Sequence, residues 1–286
     1  MIGSCVLKDK PIFDSRSSIA GTDVFLYLHF KFSYSYCTFV VMNKSKAVTK
    51  FFKFNELIIF EDDNLIVINK PPLISSLDDR EGGDLNIIRL AKRYHEDAQI
   101  CHRLDRETSG VMLIAKNPET YRLVSMEFEH RRVDKKYHAL IEGVHHFDNL
   151  MVDLPILNQG NKNVNIDRAN GKTAITYFTS IRYFNHFTLV ECNPITGRMH
   201  QIRIHLATQR ASIVGDELYK GKPVFLSQLK RGYTLSKGRE EMPIMKRFAL
   251  HAKMVKITIN GTLFEFDAPY PKDFGTLLKQ LEKFDS

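Results

Sequence analysis

The sequence predicts an α+β fold in which a mixed, largely antiparallel β-sheet is flanked by helices and loops. Segments with strand-like patterns outnumber those with helical spacing, and the two kinds do not alternate regularly along the chain. Regular alternation is typical of a doubly wound parallel sheet, so its absence favours a mixed sheet. No internal repeat at a fixed period is found. With 286 residues, 43% of them hydrophobic, the chain is long enough for a complete core.

Strand-like runs follow one another from Phe51 onwards. The predicted strands are 57–60, 65–69, 111–115, 137–141, 173–177, 187–192, 253–259 and 262–266. The first two are joined by an acidic turn, and Asn260-Gly261, between the last two, is the strongest hairpin signal in the chain. The uninterrupted apolar run at 111–115 indicates a strand buried within the protein.

Four helices are predicted from capping residues and apolar spacing. They are a helix with Asp84 as N-cap that runs to about His95, one that begins at Pro118, one over about 198–208 with Thr196 as N-cap, and one over about 274–283. Asp and Thr side chains supply an oxygen to the free N–H groups at a helix start, and proline suits the first helical position.

The net charge of +8 is unevenly distributed. Residues 220–247 carry eight basic and two acidic side chains, and residues 1–50 carry seven and three. Localised basic patches are typical of proteins that bind a polyanion, most often a nucleic acid. Lysine-rich solvated loops explain the same charges, and the charges alone do not decide between the two interpretations.

The four cysteines are widely scattered and form no Cys-x-x-Cys pair. This excludes a disulfide scaffold and a cysteine-rich zinc site, and it predicts a reducing compartment, the cytoplasm. We find no signal peptide and no apolar run of the roughly 20 residues that a membrane span needs. We therefore expect no membrane association.

The first segment that could carry chemistry is 101–110, which leads into the predicted buried strand. Asp105 stands between Arg103 and Arg106, and nearby cations favour an ionised carboxylate. Such a carboxylate at the end of a sheet could act as a nucleophile or a base. The alternative is a simple turn, in which the aspartate bonds to its own backbone and the arginines are solvated.

Two further segments combine basic and aromatic side chains. Tyr137 follows Lys135 at a strand start, where it could stack on a base beside a phosphate-binding charge, or lie half-buried on a sheet face. Arg203 lies in a predicted helix and, if it points inward, needs a carboxylate partner. His200 and His205 are five residues apart, which is not the spacing of a zinc-binding helix, so no metal is expected.

Taken together and in order, six stretches resemble the RluA-type pseudouridine synthases. They are Asn69-Lys70-Pro71, HRLDRETSG at 102–110, Lys-x-Tyr-x-Ala-x-x-x-Gly at 135–143, GRMHQIRIHLA at 197–207, Val214-Gly215-Asp216 with Tyr219, and Leu250-His251-Ala252. The resemblance covers about 55–270. It implies a catalytic domain at 51–286 that isomerises selected uridines of rRNA or tRNA to pseudouridine. It also implies that no cofactor is needed, and we expect a monomer.

The resemblance also assigns roles to residues. Asp105 becomes the catalytic aspartate, which either attacks ribose C1′ or removes a proton from C2′. Arg203 is expected to pair with Asp105, Tyr137 to stack on the target base, and Arg103 to enter the RNA stack when the uridine is flipped out. The other residues expected to bind RNA are Arg106, Lys135, Arg198, His200, Lys230, Arg231 and Lys237.

The chain departs from many relatives in its first 50 residues, which show no pattern of the small S4 RNA-binding domain. We expect residues 1–50 to be either a disordered extension or to lie upstream of a true start at Met42. The alternative function is a catalytically inactive RNA-binding protein of the same fold. A hydrolase that uses Ser109 is rejected, because no Gly-x-Ser-x-Gly motif surrounds it.

Overall fold

The computed structural model describes four stretches of the chain. These are residues 53–77, 85–160, 163–235 and 238–286. The predicted N-terminal extension, the predicted helix cap Asp84 and the predicted RNA contact Lys237 lie outside the described residues.

Within the described residues, ten strands form one mixed sheet and two form a separate hairpin. The strands are β1 (Ile58–Glu61), β2 (Leu65–Lys70), β3 (Gln99–Ile100), β4 (Ser109–Ala115), β5 (Asp134–Glu142), β6 (Leu150–Asp153), β7 (Ile156–Gly160), β8 (Asn163–Ile166), β9 (Ile175–Tyr183), β10 (Phe187–Pro194), β11 (Leu250–Ile259) and β12 (Thr262–Asp267). The sheet order is β1-β2-β4-β11-β5-β10-β9-β6, with β3 beside β4, β12 beside β11, and β7 paired to β8. The described strand pairs are antiparallel except β4 with β11, which confirms the predicted fold class.

Helices flank this sheet. They are α1 (Ile87–Tyr94), α2 (Pro118–Glu129), α3 (Gln201–Thr208), α4 (Leu226–Leu229) and α5 (Lys272–Phe284), with 3₁₀ turns at Phe54–Leu57 and Glu217–Tyr219. In the part of the chain that is described, none of these helices combines the length and apolar character of a membrane span.

The strand β4 is buried along its whole length because helices cover both faces of the sheet there. One face belongs to a cluster with α1, formed by Ile66, Ile68, Met112, Ile114, Ile87 and Leu90. The other belongs to a cluster with α2, formed by Leu65, Val67, Val111, Leu113 and Val124. Successive residues of a strand point to opposite faces, so a strand covered on both sides reads as a continuous apolar run. The prediction at 111–115 is confirmed.

A third cluster joins the other half of the sheet to α3 and α5. Its fully buried members include Ala139, Leu140, Val190, Leu206, Leu277 and Leu281. It fixes β5 and α3 in one rigid body, because side chains from both pack in the same core. The hairpin between β11 and β12 also forms as predicted, with Asn260 at φ 48° and Gly261 at φ 78°, the positive values that a tight hairpin turn requires.

Two predicted helix starts are wrong. The helix α1 is capped by Asn86, whose side chain accepts a hydrogen bond from the Arg89 backbone. The helix α3 begins at Gln201 rather than near 198, and Thr196 does not cap it. The Thr196 hydroxyl instead donates to Gln201 Oε1 at 2.7 Å and accepts from the Ile175 backbone, so it ties the turn to β9.

The sequence analysis missed β6, β7 and β8. These strands are short, and the hairpin of β7 and β8 contains the polar run Asn158, Gln159 and Gly160. Asn, Gln and Gly are not typical strand residues, so their composition indicates a loop. The pairing of the strands with each other and with β9 decides their structure instead.

Gly110 provides a test of the fold beside the segment 102–108. It has φ 118° in β4, and an added Cβ would lie 2.1 Å from the backbone oxygen of Ala252 in β11. We expect Gly110→Ala to lower the free energy of unfolding by about 3 kcal/mol, through backbone strain and overpacking. Urea denaturation measures this change.

Gly275→Ala is the matched control, because Gly275 lies in α5 and an added Cβ there meets nothing within 4 Å. Alanine favours a helix over glycine by about 1 kcal/mol, so this variant should be as stable as the wild type or more stable. Equal stability of the two variants would contradict the close approach of β4 and β11.

Candidate active site

A cavity of about 710 Å³ lies where three distant segments meet. These are the segment 102–108 before β4, the start of β5, and the turn 196–203 that enters α3. Seven residues predicted from the sequence line it, namely Asp105, Tyr137, Arg203, Arg103, Lys135, Arg198 and His200. Three other predicted residues, Arg106, Lys230 and Arg231, are not part of the lining.

Asp105 lies at the wall of the cavity between two nitrogen donors. Its Oδ2 atom is 3.7 Å from Arg203 Nη1 and 4.0 Å from His200 Nε2. The side chain keeps a quarter of its surface exposed. The backbone oxygen of Asp105 accepts from the Thr108 backbone at 3.1 Å, so a turn is present as well as the ion pair. Asp105 therefore lies in a backbone turn, and its carboxylate is accessible from the cavity.

The ion pair expected between Arg203 and Asp105 is present, but Asp216 holds Arg203 more closely. Arg203 Nε and Nη2 donate to the two carboxylate oxygens of Asp216 at 2.6 and 2.7 Å. Burial lowers the pKa of Arg203. The hydrogen bond and charge of Asp216, together with the charge of Asp105, outweigh this effect, so the pKa is raised overall. Asp216 is the carboxylate partner that an inward arginine needs, and the sequence alone did not single it out.

Aromatic rings also fix the guanidinium group of Arg203. Its Cζ atom lies 4.3 Å from the centre of the Phe248 ring and 5.0 Å from the centre of the Tyr219 ring. A cation over a ring face is attracted by the electron-rich face of the ring. Two oxygens and two rings therefore leave Arg203 one free direction, along Nη1 towards Asp105.

Tyr137 lies in β5, opposite Ala252 of β11 and Cys192 of β10. It contacts two of the hydrophobic clusters and also lines the cavity, so it is both a sheet residue and a site residue. Burial raises its pKa, and the negative charge of Asp105 raises it further. The hydroxyl group is therefore protonated at neutral pH, and the ring is available for stacking.

Buried side chains hold the segment that carries Asp105. Lys70 is fully buried at the end of β2, and its Nζ atom donates to the backbone oxygens of Pro71, Ile74 and Arg106 at 3.0, 2.9 and 3.2 Å. Burial lowers the pKa of Lys70 to about 7, as does the charge of Arg247, whereas the charge of Asp105 raises it.

Arg247, Ser76 and His102 complete these anchors. Arg247 Nη1 donates to the backbone oxygen of Glu107 at 2.8 Å, and Ser76 Oγ donates to that of Leu104 at 2.7 Å. His102 Nε2 accepts from the Leu113 backbone in β4 at 3.1 Å, and burial lowers its pKa to about 3. The sequence gives a usable signal only for Lys70, a lysine between an apolar strand and two prolines.

The cavity mouth is predominantly basic. Arg103 and Arg131 are exposed there, and burial lowers the pKa of Lys135 to about 8. Arg198 donates from Nε to the Thr173 backbone oxygen at 3.1 Å, and this hydrogen bond fixes the position of its side chain. Several cations around one opening attract a polyanion, although these cations lie outside the two basic segments that the sequence analysis singled out.

Lys230 and Arg231 lie elsewhere. Both are exposed, at and after the end of α4, and Lys230 Nζ lies 5.9 Å from the centre of the Phe284 ring in α5. Within the described residues, no group of three or more His, Cys, Asp or Glu side chains is placed to hold a metal ion.

Comparison with known proteins shows the family of the chain. The sequence profile of the RNA pseudouridylate synthase family matches residues 64–208, a range that contains Asp105, Tyr137 and Arg203. Ribosomal large subunit pseudouridine synthase D of Haemophilus ducreyi is 31% identical over 239 residues, which cover 79% of this chain and 70% of that protein. Ribosomal large subunit pseudouridine synthase C of Vibrio vulnificus is 31% identical over 242 residues, covering 83% and 73%.

A solved structure is also similar to this chain. Human RNA pseudouridylate synthase domain containing 4 superimposes with a TM-score of 0.61 at 28% identity, over 80% of this chain and 94% of that one. The chain belongs to the RNA pseudouridylate synthase family and is an RNA pseudouridine synthase, an isomerase.

Proposed function

We propose that the enzyme converts a uridine of large-subunit ribosomal RNA to pseudouridine, with Asp105 as the catalytic carboxylate. The observation that carries the proposal is the meeting of Asp105, Tyr137 and Arg203, from three distant segments, in one cavity with a basic mouth. The choice of RNA rests on the names of the two relatives, which are ribosomal large subunit pseudouridine synthases.

Asp105 starts the reaction as a carboxylate. The bond between ribose C1′ and N1 of uracil breaks, the base turns, and C1′ is rejoined to C5; C5 loses a proton and N1 gains one. Both routes to base release, attack at C1′ and removal of the C2′ proton, need the ionised form of Asp105. Arg203 Nη1, 3.7 Å from Oδ2, makes an ion pair with the carboxylate.

Tyr137 binds the flipped base, and Arg103 occupies the place that the base leaves in the RNA. A uridine inside an RNA stack cannot reach Asp105, so the nucleotide must turn out of the stack at a cost of a few kcal/mol. The Tyr137 ring, beside Asp105, offers a face on which uracil stacks. Arg103 is exposed at the mouth, where its side chain fills the space that the flipped base leaves.

The first test replaces Asp105 by Asn, which keeps the shape of the side chain but removes its charge. We expect pseudouridine formation to fall by more than about 10³-fold while RNA still binds, because a neutral amide is neither nucleophile nor base. Carbodiimide adducts mapped by primer extension on large-subunit rRNA and on tRNA measure the product at each uridine.

Asp153→Asn, at an exposed position of β6, is the matched control and should retain full activity. Activity of Asp105→Asn equal to the wild type would refute the role of Asp105. A wild-type enzyme that modifies tRNA and leaves large-subunit rRNA unmodified would refute the choice of RNA.

The second test concerns the carboxylate that holds Arg203. Asp216→Asn leaves a buried guanidinium group without its charged partner, so we expect the free energy of unfolding to fall by about 3 kcal/mol and the modification rate to fall with it. Urea denaturation and single-turnover assays measure the two effects. Glu265→Gln, which breaks the exposed pair with Lys256, should change stability by less than about 1 kcal/mol. Similar changes in the two variants would argue against a buried ion pair.

The third test concerns the basic segment 220–247, which we propose contacts RNA phosphates outside the cavity. The double variant Lys230→Glu and Arg231→Glu should weaken RNA binding and reduce the slope of log affinity against log salt by about 1 to 2. The double variant Lys92→Glu and Lys272→Glu makes the same charge change at exposed positions of α1 and α5. An equal effect of both variants would indicate net charge rather than a local contact.

A further inference from the structure

His200 has a strained backbone and a nearly buried side chain. It has φ 55°, in the left-handed region, and its side chain is only 9% exposed. A residue other than glycine in this region costs on the order of 1 kcal/mol, so surrounding contacts must hold it there. The position immediately precedes α3, which carries Arg203. The strain therefore places the His200 ring at the wall of the cavity.

Both ring nitrogens of His200 face a polar group. Nδ1 lies 3.1 Å from the hydroxyl oxygen of Tyr219, and Nε2 lies 4.0 Å from Asp105 Oδ2. A nitrogen that faces a carboxylate is favourable only if it carries a proton. In a neutral ring the other nitrogen is then an acceptor, so the Tyr219 hydroxyl must donate to Nδ1.

Tyr219 is suited to that donor role. Burial raises its pKa to about 12, although the charge of Arg203 lowers it, so the hydroxyl keeps its proton. Burial also lowers the pKa of His200, against the opposing effect of Asp105, so its ring is neutral. The Tyr219 ring stands perpendicular to the His200 ring, with the centres 5.8 Å apart, and it also packs on Arg203.

We propose that Tyr219 and His200 form a chain of hydrogen bonds that positions the catalytic carboxylate, in which the Nε2–H group of His200 donates to Asp105 Oδ2 once RNA is bound. The proposal rests on the proposed function of Asp105. Catalytic hydrogen bonds often tighten when substrate binds, and a separation of 4.0 Å needs only a small movement to form one.

The chain also selects one oxygen of the carboxylate. Arg203 Nη1 and His200 Nε2 make their closest approaches to the same atom, Oδ2. Two donors on Oδ2 leave Oδ1 to meet the ribose, so the geometry assigns the reacting oxygen. His200 then acts through Asp105 as a positioning residue, and its two nitrogens are not available to the phosphate contact expected from the sequence.

Three variants separate the backbone of His200 from its side chain. His200→Asn keeps a residue that tolerates φ 55° but is too short to reach Asp105, whereas His200→Gln presents an amide donor near the place of Nε2. Tyr219→Phe removes the hydroxyl group and keeps the ring over Arg203. We expect the single-turnover rate to fall about 100-fold in His200→Asn, less than about tenfold in His200→Gln and about tenfold in Tyr219→Phe. The Kd for RNA should be unchanged in all three variants.

Arg210→Asn is the matched control, because Arg210 is exposed and also has a left-handed backbone, with φ 58°. Its rate should equal that of the wild type, and thermal unfolding of each variant shows that the fold is intact. Unchanged rates for His200→Asn and Tyr219→Phe would overturn the proposal. A loss that appears in the Kd for RNA rather than in the rate would overturn it in favour of a direct RNA contact.

A second measurement needs no RNA, so it distinguishes a failure of this proposal from a failure of the proposed function. Two-bond ¹H–¹⁵N spectra of histidine-labelled enzyme report which ring nitrogen carries the proton, and the His200→Asn spectrum identifies the signal. We expect a neutral ring with the proton on Nε2, and a loss of that preference in Tyr219→Phe. A proton on Nδ1 in the wild type would overturn the chain even if Asp105 is catalytic.

Discussion

The segment before β4 has few backbone partners of its own, so buried side-chain donors must fix it, and the position of Asp105 depends on them. Lys70, Ser76 and Arg247 each donate to a backbone oxygen within this segment, at 2.7 to 3.2 Å. Backbone carbonyls that lie away from water need such partners. The lowered pKa of Lys70 is the cost of this arrangement, since a fully buried ammonium group disfavours its own charge.

A different part of the chain supplies the polar groups that face the Asp105 carboxylate. Arg203, His200 and their partners Asp216 and Tyr219 all lie in the stretch from the N-cap of α3 to the end of the 3₁₀ turn that follows it. The bidentate pair keeps Arg203 charged in a buried place, where a guanidinium group alone would be unstable. The anchors of the segment 102–108 therefore set where Asp105 lies, and Arg203 and His200 supply the groups that face its Oδ2 atom.

The sequence predicted what depends on local pattern and on apolar burial. The continuous run of β4, the Asn260-Gly261 turn and the helix start at Pro118 each follow from a local rule, and the structure agrees with them. It did not predict Asp216 as the partner of Arg203, because a pattern shows that an inward charge needs a partner but not which one. The late start of α3 was missed for a similar reason, since a strained histidine stands where a helical residue was expected.

The left-handed backbone of His200 shows how the stretch 200–219 contacts the segment that carries Asp105. A regular helix beginning near 198 would include His200 in its first turn and direct its side chain by the helical repeat. Interrupting the helix at that residue frees the ring to reach Asp105 on one side and Tyr219 on the other. Backbone strain that a helix would not tolerate is thus retained at His200, where the stretch 200–219 meets the segment that carries Asp105. This is the place at which local propensity is the poorest guide, because the contacts that hold it come from residues far apart in the sequence.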